Sequence, residues 1–213
     1  MSERSTSLGR IVRPTLGRLA LLLYRTRFLG VENVPPTGAV IAGNHVSYLD
    51  PALLWCGPPR RIHFMAKAQL FDMHILGWAL PRLWSFPVHR GAADRTAIAK
   101  ATELLEAGEL VGIFPEGTRV RHHGVEALGE AHGGVAFIAM RAGVPVVPVG
   151  IAGTDRAWPE GKRIPRFPKV TVRFCDPVYP EDFTEGGRKE RVEAMTEEIM
   201  RRISSAREEA RRG

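Results

Sequence analysis

Six short apolar runs recur along the chain: Val40 to Ala42, Ile62 to Ala66, Ser85 to Val88, Leu110 to Phe114, Val146 to Gly150 and Val170 to Phe174. Runs of this length, closed by Gly, Pro or polar residues, predict buried β-strands. Between them the spacing of apolar residues changes to that of a helix. From Asp94 to Ala107, Ile98, Ala101 and Leu105 form one stripe and Gly108 stops it. A second helix is predicted from about Gly134 to Arg141, stopped by Gly143. A third covers Arg188 to Arg212, with Val192, Met195, Ile199 and Ile203 as its apolar edge. Strands alternating with helices predict an α/β fold, a single domain with a largely parallel or mixed central sheet flanked by helices.

The first thirty residues carry a different pattern. Leu8, Ile11, Val12, Leu16, Leu19, Leu22 and Leu23 fall at helical spacing, with Arg10, Arg13, Arg18 and Arg25 outside or at the margin of that stripe, and Pro14 starts or kinks the helix. The longest apolar run there, Leu19 to Tyr24, is too short to span a bilayer. A basic amphipathic helix reads as lying in a membrane interface, the alternative being that its stripe packs on the protein's own core. A second apolar stretch, Gln69 to Trp84, reads either as core or as an acyl-chain groove or lipid-dipping surface, where tryptophan is favoured.

Charge supports a division of the 213 residues into three parts. The whole chain carries +7, with +5 in residues 1–30, zero in 31–185 and +2 in 186–213. The expected organisation is a membrane-interface segment (1–30), an α/β body (31–185) and a C-terminal helix (186–213). Hydrophobic content of 44% against 25% charged excludes a disordered chain. Residues 1–30 show no clean signal-peptide pattern. The two cysteines, Cys56 and Cys175, read as small buried residues and point weakly to a reducing compartment. The expected location is the cytoplasmic side of the cell membrane, held peripherally or monotopically.

Two segments carry candidate chemistry. Asn44-His45-Val46-Ser47-Tyr48-Leu49-Asp50 places a histidine and a carboxylate five positions apart, just after an apolar run. Positions five apart do not face each other on a continuous helix. Pro51 favours a helix beginning at Asp50, which leaves a turn that can fold His45 back onto the carboxylate. Such a pair is suited to base chemistry, because the acid fixes the tautomer of the imidazole. Taken alone, it is equally a helix-capping Asp beside an ordinary loop histidine. The second segment, Phe114-Pro115-Glu116-Gly117-Thr118-Arg119, follows the predicted strand at Leu110. The carboxyl end of a strand is where open α/β sheets place ligands. Gly117 permits close backbone approach, Thr118 adds a hydroxyl, Arg119 offers a donor fork for phosphate, and Glu116 accepts from substrate hydroxyls. Taken alone, this segment reads as a surface turn.

Together these blocks resemble the glycerolipid acyltransferase family, in particular the lysophosphatidic acid acyltransferases. Phe86-Pro87-Val88-His89-Arg90-Gly91 resembles that family's second motif, and Val144-Pro145-Val146-Val147-Pro148-Val149 resembles its fourth. Met65-Ala66-Lys67 fits the run that precedes the second motif, and the likeness spans about Leu29 to Pro177. The chain departs from the family pattern at His89 (often an acid), Gln69 (commonly Glu) and His132 (usually a basic residue before a glycine). The resemblance implies a glycerol-3-phosphate acyltransferase-like fold. It implies His45 as base and Asp50 as its orienter. It also implies that Arg90 and Arg119, with Lys67, hold phosphate, while Glu116 and Gly117 position glycerol.

No Gly-x-Ser-x-Gly elbow, His-Glu-x-x-His, Cys-x-x-Cys or phosphate-binding loop is present, and His74, His122 and His123 lack partners at metal-ligand spacing. No covalent nucleophile, metal or resident cofactor is therefore expected, and direct transfer is the simplest chemistry. The implied reaction moves an acyl chain from acyl-CoA or acyl carrier protein to the free hydroxyl of lysophosphatidic acid, giving phosphatidic acid in phospholipid biosynthesis. Alternative acceptors are glycerol-3-phosphate, another lysophospholipid or a glycolipid. An alternative of another class is a non-enzymatic basic protein binding membrane or nucleic acid, in line with a pI near 10.0. The charge-neutral middle without a regular basic-aromatic platform argues against a nucleic-acid partner.

Overall fold

A computed structural model describes residues 7–89, 94–116, 133–157 and 166–212. Among the described residues, seven strands form one sheet: β1 (Arg27–Leu29), β2 (Ala39–Gly43), β3 (Ile62–Lys67), β4 (Ser85–Val88), β5 (Leu110–Ile113), β6 (Val146–Ala152) and β7 (Thr171–Phe174). Their spatial order is β1-β7-β6-β2-β5-β3-β4. Every neighbouring pair is parallel except β6 and β7. The expected α/β class with a mixed sheet is the observed one.

Central β2 shows why these runs read as apolar throughout. All five of its residues are buried. Ala39 and Ile41 face one core, with Leu53, Leu54 and Trp55 of α3 (Asp50–Cys56). Val40 and Ala42 face the other, with Leu105 of α5 (Arg95–Glu106), Ile138 of α6 (Gly134–Ala142) and Ile199 of α7 (Arg188–Arg212). A parallel strand covered on both faces needs apolar side chains at odd and even positions alike. In register, Val40 lies between Val111 of β5 and Val146 of β6. The sequence pattern missed β1, which is three residues long and begins with an exposed arginine.

The N-terminal stripe divides in the fold. It forms α1 (Ser7–Val12), a π-helical turn at Arg13–Gly17 that contains Pro14, and α2 (Arg18–Leu23). Proline removes a helical donor, so the wide turn falls where the ladder is already interrupted. Val12, Ala20 and Leu21 pack on the body, whereas Ile11, Leu16, Leu19, Leu22 and Leu23 are exposed. Arg13 fastens the turn by donating to the carbonyls of Pro58 and Pro59 just beyond α3. Gly17 lies over Cys56, where an added Cβ would meet the sulfur at 2.8 Å.

The stretch from Gln69 to Trp84 is only partly core. Trp84 is buried against Trp55, but α4 (His74–Arg82) buries none of its residues, and Met73, Ile75, Leu76 and Trp78 are exposed. Among the described residues no helix is long and apolar enough to cross a membrane.

Candidate active site

The site forms at the carboxyl ends of the parallel strands β2 and β5. Asn44 and His45 follow β2, and Phe114, Pro115 and Glu116 follow β5, its neighbour. Local sequence dictates the turn after β2. Polar Asn44 ends the apolar run, and Pro51, in the first turn of α3, favours a helical start. The intervening residues bend so that His45 Nδ1 lies 3.0 Å from Asp50 Oδ2.

Asp50 does not act as the expected cap. It is the first residue of α3, preceded by Leu49, and no side-chain cap bond is made there. Its Oδ2 reaches backward instead, accepting from the N–H groups of Val46 (2.7 Å) and Ser47 (2.6 Å) as well as facing the imidazole. With three donors converging on one oxygen, Asp50 fixes the turn as well as the ring. Asp50 is fully buried, and its Oδ1 finds no hydrogen-bond partner among the described residues. With Nδ1–H donating to Asp50, His45 Nε2 is the nitrogen that can accept a proton. Phe114 stacks under the imidazole, ring centroids 4.2 Å apart and planes 20° apart, and Phe64 of β3 stacks in turn on Phe114.

Asn44, to which the sequence reading gave no role, is buried between β2 and β6. Its amide donates to the Ile151 carbonyl (3.0 Å) and accepts from the Ile151 N–H (2.7 Å). Its only sequence signal was an amide side chain interrupting an apolar run, since its partner lies more than a hundred residues away.

Glu116 is 5% exposed, and its Oε2 has no hydrogen-bond partner among the described residues. Burial pushes its carboxyl up to about 7. The backbone N–H of His45 and the charge of Arg207 pull the other way, and Asp50 adds to the rise. Lys67, the last residue of β3, is exposed at the same end of the sheet, one strand beyond β5. Arg90, Gly117, Thr118 and Arg119 lie outside the described residues, as do His122, His123 and His132.

A second histidine and carboxylate stand at the same spacing. His89 Nδ1 lies 3.0 Å from Asp94 Oδ2, which also accepts from the His89 N–H. Asp94 in addition caps α5 through the Ala97 N–H. These bonds, from the His89 and Ala97 N–H groups first and then the ring, hold its carboxyl down to about 2. The His89 side chain is 76% exposed against 14% for His45. One pair thus forms a surface cap, the other a site enclosed by aromatic rings.

The family model described as Acyltransferase matches residues 25–152, which contain both site segments. The chain is 36% identical over 174 residues to the 1-acyl-sn-glycerol-3-phosphate acyltransferase of Bacillus subtilis, covering 81% of this chain and 83% of that one. It is 33% identical to the chloroplastic 1-acyl-sn-glycerol-3-phosphate acyltransferase BAT2 of Brassica napus, over 73% of this chain, and spans a little under half (46%) of that longer relative. The crystal structure of the 1-acyl-sn-glycerophosphate (LPA) acyltransferase PlsC from Thermotoga maritima is similar with a TM-score of 0.72 and 26% identity, over 96% of this chain and 83% of that one.

Proposed function

The chain belongs to the Acyltransferase family, and from that premise we propose that it transfers an acyl chain from acyl-CoA or acyl carrier protein to the free hydroxyl of a lysophosphatidic acid, giving phosphatidic acid. One observation carries the reading: a half-buried imidazole, stacked on Phe114, whose Nδ1 is held by a fully buried carboxylate. His45 Nε2 takes the proton of the acceptor hydroxyl as its oxygen attacks the thioester carbonyl. The tetrahedral intermediate collapses, the carbon–sulfur bond breaks, and the thiolate leaves with the proton carried by the imidazolium. The products are an ester and a thiol, with His45 returned to its neutral state. A positioned general base contributes roughly 10²–10⁴-fold. The Val46 and Ser47 amides already bind Asp50, so donors to the developing oxyanion are supplied from elsewhere.

Glu116 faces the acceptor hydroxyls, and Arg119, Arg90 and Lys67 bind its phosphate. No resident cofactor or metal takes part. The protein works from the cytoplasmic face of a membrane, held peripherally or monotopically. The exposed Ile11, Leu16, Leu19, Leu22 and Leu23 enter the interface, and the arginines around them meet anionic headgroups.

The test is thiol release from acyl-CoA and from acyl carrier protein with a panel of acceptors: lysophosphatidic acid, glycerol-3-phosphate, other lysophospholipids and a glycolipid. Lysophosphatidic acid is expected to give the highest kcat/KM. Arg119→Ala is expected to raise the acceptor KM with the donor KM unchanged. Thiol release that does not depend on lysophosphatidic acid would remove the proposed acceptor. A Arg119→Ala variant with unaltered acceptor dependence would remove the role given to that arginine.

A further inference from the structure

Helix α4 lies on the surface with apolar side chains facing outward. Ile75 is 80% exposed and Trp78 55%, and Met73 and Leu76 are exposed beside them. From Met73 to Pro81 the sequence holds no Lys, Arg, Asp or Glu. An apolar patch of this kind, bordered by charge, marks a surface that meets a partner. The helix is also firmly placed. An added Cβ at Gly77 would run into the Phe71 carbonyl, so α4 folds tightly back on the turn that precedes it. Just beyond its other end, Trp84 is buried against Trp55. The backbone thus holds outward an apolar helix that buries none of its own residues.

The patch adjoins the N-terminal stripe. α1 packs against α4, and Gly9 of α1 lies so close to the Trp84 ring that an added Cβ would meet it at 2.7 Å. Val12, Leu21 and Leu83 pack on the same core, so the N-terminal helices and the end of α4 cover one face of the sheet. Cations accompany the apolar side chains. The Arg82 guanidinium lies over the Trp78 ring, 4.7 Å from its centroid, and donates to the Trp78 carbonyl (2.6 Å). Lys67 is exposed just before the 3₁₀ turn Ala68–Leu70, which leads from β3 to α4. Tryptophan and basic residues at the edge of an apolar patch suit a headgroup layer. Charge also selects the occupant. Residues 1–30 carry +5, so a second copy would set like charges against each other, whereas an anionic lipid surface complements them.

We propose that α4 is a second lipid-binding surface of this protein. Met73, Ile75, Leu76 and Trp78 enter the interfacial layer of an anionic bilayer together with the N-terminal stripe, and Arg82 and Lys67 meet its headgroups. Two contacts on one face fix the orientation as well as the attachment. The first turn of α4 follows the carboxyl end of β3, the end of the sheet at which His45 and Glu116 stand. Seating α4 in lipid therefore brings the site to the level from which a lysophospholipid is drawn. This rests on the reading of the acceptor as a membrane lipid.

The experiment uses the full-length protein with mixed phosphatidylcholine and phosphatidylglycerol vesicles. Bromine placed on the acyl chains near the headgroups quenches tryptophans that reach them. Wild type is expected to be quenched, and Trp78→Phe, which keeps an aromatic ring, should lose most of that quenching. Met73→Gln combined with Ile75→Gln should weaken vesicle binding about fivefold or more, with thermal unfolding close to wild type. Thiol release with a short-chain lysophosphatidic acid dissolved as monomers should stay within about twofold of wild type, while release with a long-chain acceptor held in vesicles should fall about fivefold. Quenching and binding are read without turnover, so they fail separately from the choice of acceptor. Vesicle binding unaltered by the two glutamines overturns the proposal, as does quenching that survives Trp78→Phe. So does a lipid-free dimer in sedimentation velocity that the glutamine variant dissociates, because α4 then faces a second copy. Should the glutamine variant not fold, the quenching comparison decides alone.

Discussion

Asn44 and Ile151 are joined by two hydrogen bonds, the side-chain amide of one satisfying both the N–H and the C=O of the other. The pair ties the residue before the candidate base to the far end of β6. Asn44→Ala leaves two buried backbone groups without partners, at a cost of about 1–3 kcal/mol for each that water does not reach. The expected outcome is a lower midpoint in urea unfolding and, at temperatures where the variant is folded, a kcat reduced more than the acceptor KM.

The two His-Asp pairs should behave oppositely. His45→Ala is expected to lose roughly 10²–10⁴-fold in kcat while its thermal unfolding stays close to wild type. His89→Ala, altered at an exposed ring, should lose less than about tenfold, since its carboxylate partner serves a helix cap. Steady-state thiol release with both variants, supported by thermal melts, distinguishes them. Equal losses would mean that enclosure by Phe114 and the buried carboxylate is not what singles out His45.

Glu116 carries a pH signature in stability. Its carboxyl is raised from an ordinary 4.5 to about 7 in the folded state. The native protein therefore holds this proton more tightly than the unfolded chain, and stability falls as pH rises between about 4.5 and about 7. Glu116→Gln removes that slope. Its unfolding free energy relative to wild type should improve across this window and level off above it. Denaturant titrations at several pH values test this, and a difference independent of pH would place the Glu116 proton in no such balance.

Acid should act through different groups. Asp94, held by His89 and Ala97, and Glu198, held by Arg201 and then Arg202 against its own partial burial, both lie at about 2. These are depressed values, so their contribution is present above the ordinary carboxyl range and is lost as pH falls toward 2. Asp94→Asn, which keeps a capping oxygen but no charge, should flatten part of the decline in melting temperature between about pH 4 and pH 2.

The exposed leucines of α2 can be changed without touching the core. Leu19→Gln combined with Leu22→Gln is expected to leave stability within about 0.5 kcal/mol, as for most surface substitutions. Sedimentation with anionic vesicles should fall markedly and do so more at high salt, where the surrounding arginines are screened. Undiminished vesicle binding would remove these residues from the proposed membrane contact.

Much of this fold was legible because strand and helix signals are local. Gly108 and Gly143 follow α5 and α6, both with positive φ (83° and 63°), as the sequence reading of those stops requires. Spacing and Pro51 foretold that the chain could bring His45 onto Asp50, and the structure brings them together. It did not foretell which way the carboxylate faces, because capping forward and bonding backward use the same residue at the same place. Nor did spacing separate His45 from His89. Burial does, and burial comes from Phe114 and Phe64 on other strands. The stretch from Gln69 to Trp84 could be read two ways because its apolar content is the same whether α4 lies inside or, as observed, on the surface.

By itself, then, the chain's order of apolar runs, glycines and prolines determined the alternation of strands and helices and the two segments that end beside each other. Periodicity and backbone preference act over a few residues, and those are written locally. Tertiary structure alone decided the antiparallel pairing of β7 with β6, the clamp of Asn44 on Ile151 and the close seating of the last helix on Gly150. Each depends on groups far apart in sequence that meet only when the sheet is assembled, where close packing and the removal of water make a single amide or a missing Cβ count.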